Sequence, residues 1–292
     1  MINNPLKTGI TLLILAFAVS AQAQFQFGFR AGLNNSTIDS ESELSPVDGS
    51  ELDAFTTSTG FHLGMAFGYE LYDFMGFRAE FLYNQKGYTY AYSGQAYQYF
   101  ESTNGEPILT TGTKTYAIQN SNAYIDFPIS VYFRPIKKIE VSFGAGLGFL
   151  VSSFGNGQLE YTNISGNVED QTWDLRHNYF RDEAGGAAIS NIENINIAGQ
   201  FARKNVSTGA YYNYDELDGK FFNTVNINLH GEISFFLNSS VFLSARYFYG
   251  LSDVTNDFYS VKQSELDEEM NPIPNAQNTR SLSTQFSLGF YF

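Results

Sequence analysis

Residues able to do chemistry are few and scattered. His62 and His230 could in principle form a proton relay or a metal pair. The chain has no cysteine and no H-E-x-x-H spacing, so both are expected to be ordinary hydrogen-bonding groups. His177 stands beside Trp173 and Asp174 and would need a second carboxylate within reach to serve as an acid–base pair. The run from Gly144 to Gly148 has the glycine density of a nucleotide-binding turn, but no helical pattern follows it and no ribose-binding acid lies downstream. Those glycines are expected to make room for an inward Arg246, Tyr132 or Tyr291. Carboxylates at Asp215, Glu216 and Asp218 precede Gly219, yet their spacing fails the alternating calcium-loop pattern. The expectation is therefore no catalytic residue, no cofactor and no metal.

The elements that hold these residues follow from composition and pattern. In 292 residues there are 28 Phe, 20 Tyr and a net charge of −14, which repels nucleic acid rather than binding it. Without cysteine, disulfides and thiolate catalysis are excluded. Lys7 precedes an apolar run over 9–19 that is too short to span a bilayer, and Ala21 and Ala23 supply the small residues of a cleavage site. Residues 1–23 are expected to be a signal peptide, with 24–292 as one exported domain. Beyond residue 23 no apolar run is long enough for a transmembrane helix.

Period-2 alternation recurs in eight segments, each with one apolar face. Phe25, Phe27, Phe29, Ala31 and Leu33 share one face of the first; Phe61, Leu63, Met65, Phe67 and Tyr69 share one face of the second. The others begin near Phe77, Ile125, Val141, Val225, Val241 and Leu282. Ten charges fall in these segments: Arg30, Glu70, Arg78, Glu80, Lys86, Asp126, Arg134, Glu140, Glu232 and Arg246. All lie opposite the apolar face, five of each sign, which suits a sealed interior where unpaired charge is costly. Short turns at 71–75, 135–138 and 237–239 alternate with long connections at 38–56, 90–114, 155–221 and 252–280. That layout predicts an all-β, antiparallel, up-and-down transmembrane barrel of eight strands with long extracellular loops. Ile192, Ile195, Ile197 and Phe201 suggest a hairpin above the membrane within loop 155–221; counting it as wall gives ten strands as the alternative. Trp173 is expected to pack inside that loop.

The segments GFRAEFLYNQKG (76–87), YIDFPISVYFRP (124–135), EVSFGAGLGFLV (140–151), SARYFYGLSDV (244–254) and FSLGFYF (286–292) resemble the PorT-like outer-membrane β-barrel family of Bacteroidota. The resemblance implies an eight-stranded barrel in the cell outer membrane, in contact with its lipid. The family's namesake is associated with type IX secretion, which makes a secretion complex or surface partner an expectation.

Arg30, Arg78 and Arg246 are expected to pair with Glu80, Asp126, Glu140 and Glu232 in a buried network that sets the register. The aromatic terminal strand, with Phe290 and Phe292, is expected to be read by the barrel-insertion machinery. An eight-stranded barrel is just wide enough for its own side chains, so no open pore is expected. The leading expectation is a non-enzymatic anchor or interaction platform; the alternatives are an outer-membrane enzyme with a loop-borne site and a narrow solute channel.

Overall fold

The computed structural model describes residues 25–292 apart from 106, 167, 186–188 and 276, with the backbone alone for 189–193. The expected signal peptide and its cleavage site at Ala21 and Ala23 lie outside the described residues. No helix among the described residues is long and apolar enough to cross a membrane.

The chain is built of strands: β1 (Phe25–Asp39), β2 (Asp53–Tyr72), β3 (Met75–Glu101), β4 (Pro107–Ile136), β5 (Ile139–Thr162), β6 (Gln171–Asn178), β7 (Ile189–Ile197), β8 (Gln200–Thr208), β9 (Val225–Phe236), β10 (Val241–Asp253), β11 (Val261–Leu266), β12 (Pro272–Pro274) and β13 (Arg280–Tyr291). Antiparallel pairing runs β4–β3–β2–β1–β13–β10–β9–β5, and β5 pairs in turn with β4. Each of these strands thus has a neighbour on both sides, which satisfies the backbone groups that hydrocarbon cannot. The short turns and the residues Phe25 and Phe292 share one end, where the Phe292 N–H donates to the Phe27 carbonyl at 2.8 Å.

Near that end the wall is greasy outside and polar inside. Ile129 is 63% exposed and Phe143 68%, whereas Arg30 and Arg246 are 2% and 1% exposed. Phe29, Leu63, Phe77, Val131, Leu229, Leu243 and Leu288 extend the same exposed belt around the wall. A belt this large is what a lipid-facing surface requires and a water-facing one avoids. Aromatic pairs rim its short-turn end: Phe25 with Tyr69, Tyr72 with Phe74, and Phe74 with Phe133.

The strands do not stop at the top of the belt. β4 has 30 residues and β3 has 27, against roughly 9–11 needed for a tilted strand to cross a bilayer. Most of the connection expected at 90–114 is therefore ladder, with Thr89–Gln119 through Glu101–Pro107 in register. Above the belt the polarity inverts. Tyr88, Tyr92, Phe100, Ile118, Leu159 and Tyr161 now face inward and are buried, while Thr111, Thr115, Gln158 and Glu160 are exposed. Water has replaced hydrocarbon on the outside, so the same alternation carries the opposite pattern, polar out and apolar in.

β5 manages this change with a bulge. Its register passes from Tyr124–Leu150 to Ala123–Ser152, leaving Val151 as the extra residue. Inward parity shifts accordingly, from Gly148 and Leu150 below to Ser153, Gly155 and Leu159 above. β5 also changes neighbour: Ile139–Phe149 pairs with β9, and Phe154–Tyr161 pairs with β6.

Residues 155–221 are accordingly not a plain loop. They hold the end of β5, then β6, and the antiparallel hairpin β7–β8, which attaches to β6 through a short parallel pairing. The hairpin expected from Ile195, Ile197 and Phe201 is present; it lies beside β6 and does not separate β5 from β9 at belt level. Phe100, Ile118, Leu159, Tyr161, Trp173, Leu175, Ile197 and Ala202 form a core between this flap and the outer halves of β3, β4 and β5. Trp173, expected to pack within the loop, lies in that core with its ring 5.6 Å from Phe100.

Candidate functional site: a charged lumen beneath an aromatic cavity

Inward positions of β1, β3, β9 and β10 bring four charges together in the lumen. Arg30 Nη1 donates to Glu80 Oε1 at 3.0 Å and to Glu232 Oε2 at 3.1 Å, and its Nη2 reaches Ser244 and Ser287, each at 2.8 Å. Arg246 donates to both oxygens of Glu80 and, through Nε, to Glu232 Oε2 at 2.6 Å. Two guanidinium groups and two carboxylates thus neutralise each other in a layer that spans the interior.

A second cluster lies nearer the short turns, where Arg78 Nη2 donates to Glu140 Oε1 at 2.5 Å and Arg134 Nε to Glu140 Oε2 at 2.8 Å. Tyr132 and Tyr291 place their rings beside the Arg78 guanidinium, each 5.3 Å away. Phe236, Phe242 and Tyr291 pack with Ala66 just there. Asp126 differs from expectation: it pairs with Lys86 at 2.9 Å rather than with an arginine, and also accepts from Asn84 at 2.6 Å. Lys86 lies on the adjacent strand above Asn84, so the shorter ammonium serves a carboxylate that the arginine layer does not reach.

The glycines of the 144–148 run serve neighbours other than those expected. A Cβ on Gly144 would stand 2.8 Å from the His230 ring, one on Gly146 2.8 Å from Asn228, and one on Gly148 2.3 Å from Asp126. Tyr132 and Tyr291 are instead admitted by Gly76 and Gly28. His62 bridges Asn34 Oδ1 at 2.5 Å and Ser287 Oγ at 2.7 Å, while neither nitrogen of His230 has a partner among the described residues. The two histidines form no relay with each other, and the described residues contain no cluster of His, Asp and Glu suited to a metal.

Above the belt the inward side chains line a partly open cavity of about 220 Å³. Tyr88 and Tyr90 of β3, Tyr116 of β4, Trp173 of β6 and Tyr179 supply its aromatic walls. His177 lines it too, with Nδ1 3.1 Å from the Tyr179 hydroxyl, which itself reaches Asn120 Oδ1 at 2.7 Å. Burial holds the His177 imidazole down at about 4, against the opposing pull of Asp182. Asp174 faces the other way from β6 and pairs with Arg176 at 3.0 Å on the surface. The acid–base pair that His177 and Asp174 could have made is not assembled.

Lys114 enters the same cavity from β4, 2% exposed. No pattern in the sequence singled it out, because it lies in a threonine-rich stretch without apolar alternation. The acidic stretch 213–219 contributes Asn213 and Tyr214 to the walls, and its carboxylates cluster on no common point among the described residues. At the far end, the Phe292 ring packs on Phe27 and Phe290, with centroids 5.9 and 4.9 Å away, on the outer surface of the wall.

Among solved structures, the chain is similar to the attachment invasion locus protein Ail of Yersinia pestis, at 9% identity and a TM-score of 0.35, covering 92% of this chain and 99% of that one. It is also similar to OprG of Pseudomonas aeruginosa, at 10% identity and a TM-score of 0.33, over 92% and 96% of the two chains. For Neisserial surface protein A the values are 11% and 0.31, over 91% and 97%. No curated protein matches the sequence. The family model described as outer membrane protein beta-barrel domain matches residues 20–256. With its lipid-facing belt and its charges turned inward, the chain belongs to that outer-membrane β-barrel family.

Proposed function

We propose that this protein is a closed, eight-stranded, up-and-down barrel of the outer membrane, non-enzymatic and non-conducting, that anchors a β-structured platform outside the cell. The observation that carries this reading is the layer formed by Arg30, Glu80, Glu232 and Arg246, whose side chains meet one another across the lumen. An ion path would have to break those contacts and leave a charge uncompensated. The continuation of β3, β4 and β5 beyond the belt supports the platform: it is ladder and core, so it can hold a fixed shape in water. The quoted segments from 76–87 to 286–292 support a PorT-like assignment within the family, and a secretion complex as one partner of such a platform.

Two measurements test the reading. Planar-bilayer recording of the purified protein is expected to show no steady nanosiemens-scale conductance, and such a conductance would overturn the closed lumen. An epitope inserted at the Asn104–Gly105 turn is expected to be labelled on intact cells; labelling only after the outer membrane is opened would overturn the platform.

A further inference from the structure

The cavity above the belt contains a cation with almost nothing to hold it. Lys114 Nζ has three donors, and its one hydrogen bond among the described residues is a long one to Gln263 Oε1 at 3.4 Å. The Tyr97 ring lies 5.7 Å away. Among the described residues no carboxylate forms an ion pair with it, and its hydrogen-bond partner is a neutral amide.

The two acids of the cavity are committed elsewhere. Glu43 accepts from the Gln263 N–H at 3.0 Å, the Ser264 N–H at 2.9 Å and the Ser264 hydroxyl at 2.6 Å. Asp53 accepts from the Glu43 N–H at 2.9 Å and the Tyr90 hydroxyl at 3.1 Å. These carboxylates pin the first connection to β11 and β3, and their lone pairs are largely taken. Burial pushes the Lys114 amine down to about 7, with Glu43 opposing. A buried, under-coordinated ammonium is costly and persists where something binds it.

Size and walls narrow what that is. About 220 Å³ exceeds the roughly 150 Å³ that accommodates a benzene ring in a protein interior, and falls short of typical pockets for larger ligands. Tyr88, Tyr116, Tyr179 and Trp173 present flat apolar faces.

We propose that this cavity binds a small aromatic carboxylate, its ring between the aromatic walls and its anionic end on Lys114 Nζ. The site goes beyond the anchoring role and does not depend on it.

Trp173 is the single tryptophan of the chain and lines the cavity, so its emission reports occupancy directly. The full-length protein in detergent is titrated with benzoate, benzamide and benzylamine, which share a ring and differ in charge. Benzoate is expected to change Trp173 emission saturably and to bind at least about tenfold more tightly than either analogue, as a charge-assisted contact requires. Lys114→Met, checked for retained heat-modifiable migration, is expected to bring benzoate to the benzamide level. Should that variant fail to fold, the wild-type ranking decides. Equal binding of benzoate and benzamide, tightest binding of benzylamine, or no saturable change with benzoate overturns the proposal.

Discussion

Arg246 grips Glu80 with two parallel N–H donors, Nη1 to Oε2 at 2.8 Å and Nη2 to Oε1 at 2.6 Å. The pair joins β10 to β3 across the lumen, and Arg30 shares the same carboxylate at 3.0 Å. Removing one partner strands the other in a low-dielectric interior. Arg246→Ala is expected to destabilise the barrel by about 3–5 kcal/mol, read as a lower urea midpoint in detergent. Replacing Arg246 and Glu80 together by apolar residues should recover part of that loss. Unchanged melting and gel migration in Arg246→Ala would mean that the layer contributes nothing to stability.

Gly289 faces the Phe242 ring, where an added Cβ would approach the ring carbons to 2.1 and 2.4 Å. The ring is itself stacked on Tyr291 at 5.1 Å and cannot retreat freely. Gly289→Ala is expected to cost about 1–3 kcal/mol by overpacking. Adding Phe242→Leu should restore stability, and a failure to do so would place the strain elsewhere.

Phe100 is 1% exposed in the core that joins the β6–β8 flap to the outer halves of β3–β5. Truncating it to alanine is expected to cost about 3–5 kcal/mol there. Because none of its core neighbours belongs to the lipid belt, the loss should be local. Limited proteolysis is expected to cut the flap of Phe100→Ala while the membrane portion keeps its heat-modifiable migration. Loss of both together would show that the two regions fold as one unit.

The His177 imidazole sits near 4 in the folded protein, below its ordinary 6.5. The unfolded segment therefore takes up its proton first, and stability falls as pH drops from about 6.5 to about 4. Trp173 emission followed through urea unfolding should show this decline in the wild type and a weaker one in His177→Gln. Lys114 follows the same charge logic at higher pH. Its amine falls to about 7 on folding, so stability should rise with pH from about 7 up to the ordinary 10.5. Lys114→Met removes that slope and is expected to gain about 1–4 kcal/mol near neutrality, as when buried ions give way to apolar groups.

The membrane-level wall was legible in the sequence because one rule held for every strand. Where Phe29, Leu63 and Ile129 face hydrocarbon, Arg30, His62 and Ser130 face inward, and parity alone separates them. Above the belt that rule fails for a physical reason. With water outside, Thr113 and Thr115 take the outer face while Tyr116 and Ile118 turn in, so a search for apolar-out alternation sees only a loop. Val151 adds a phase shift on β5 that a strict two-residue period cannot follow. The pairing of Asp126 with Lys86, and the gathering of Lys114, His177 and Trp173 around one cavity, depend on which strands become neighbours, and no single segment encodes that.

A strand that trades one neighbour for another half-way along its length leaves a seam. The β5–β9 ladder ends at Phe149 and Val225, and from Phe154 onward β5 is joined to β6 instead. Along that line the upper wall meets the segment before β9 through side chains, as where the Tyr179 ring packs on Phe221 and Phe222 with centroids 5.0 and 4.7 Å away, rather than through a continuous ladder. Strain arising in the chamber around Trp173 therefore has no unbroken run of backbone hydrogen bonds by which to pass down this line to the rungs between β5 and β9.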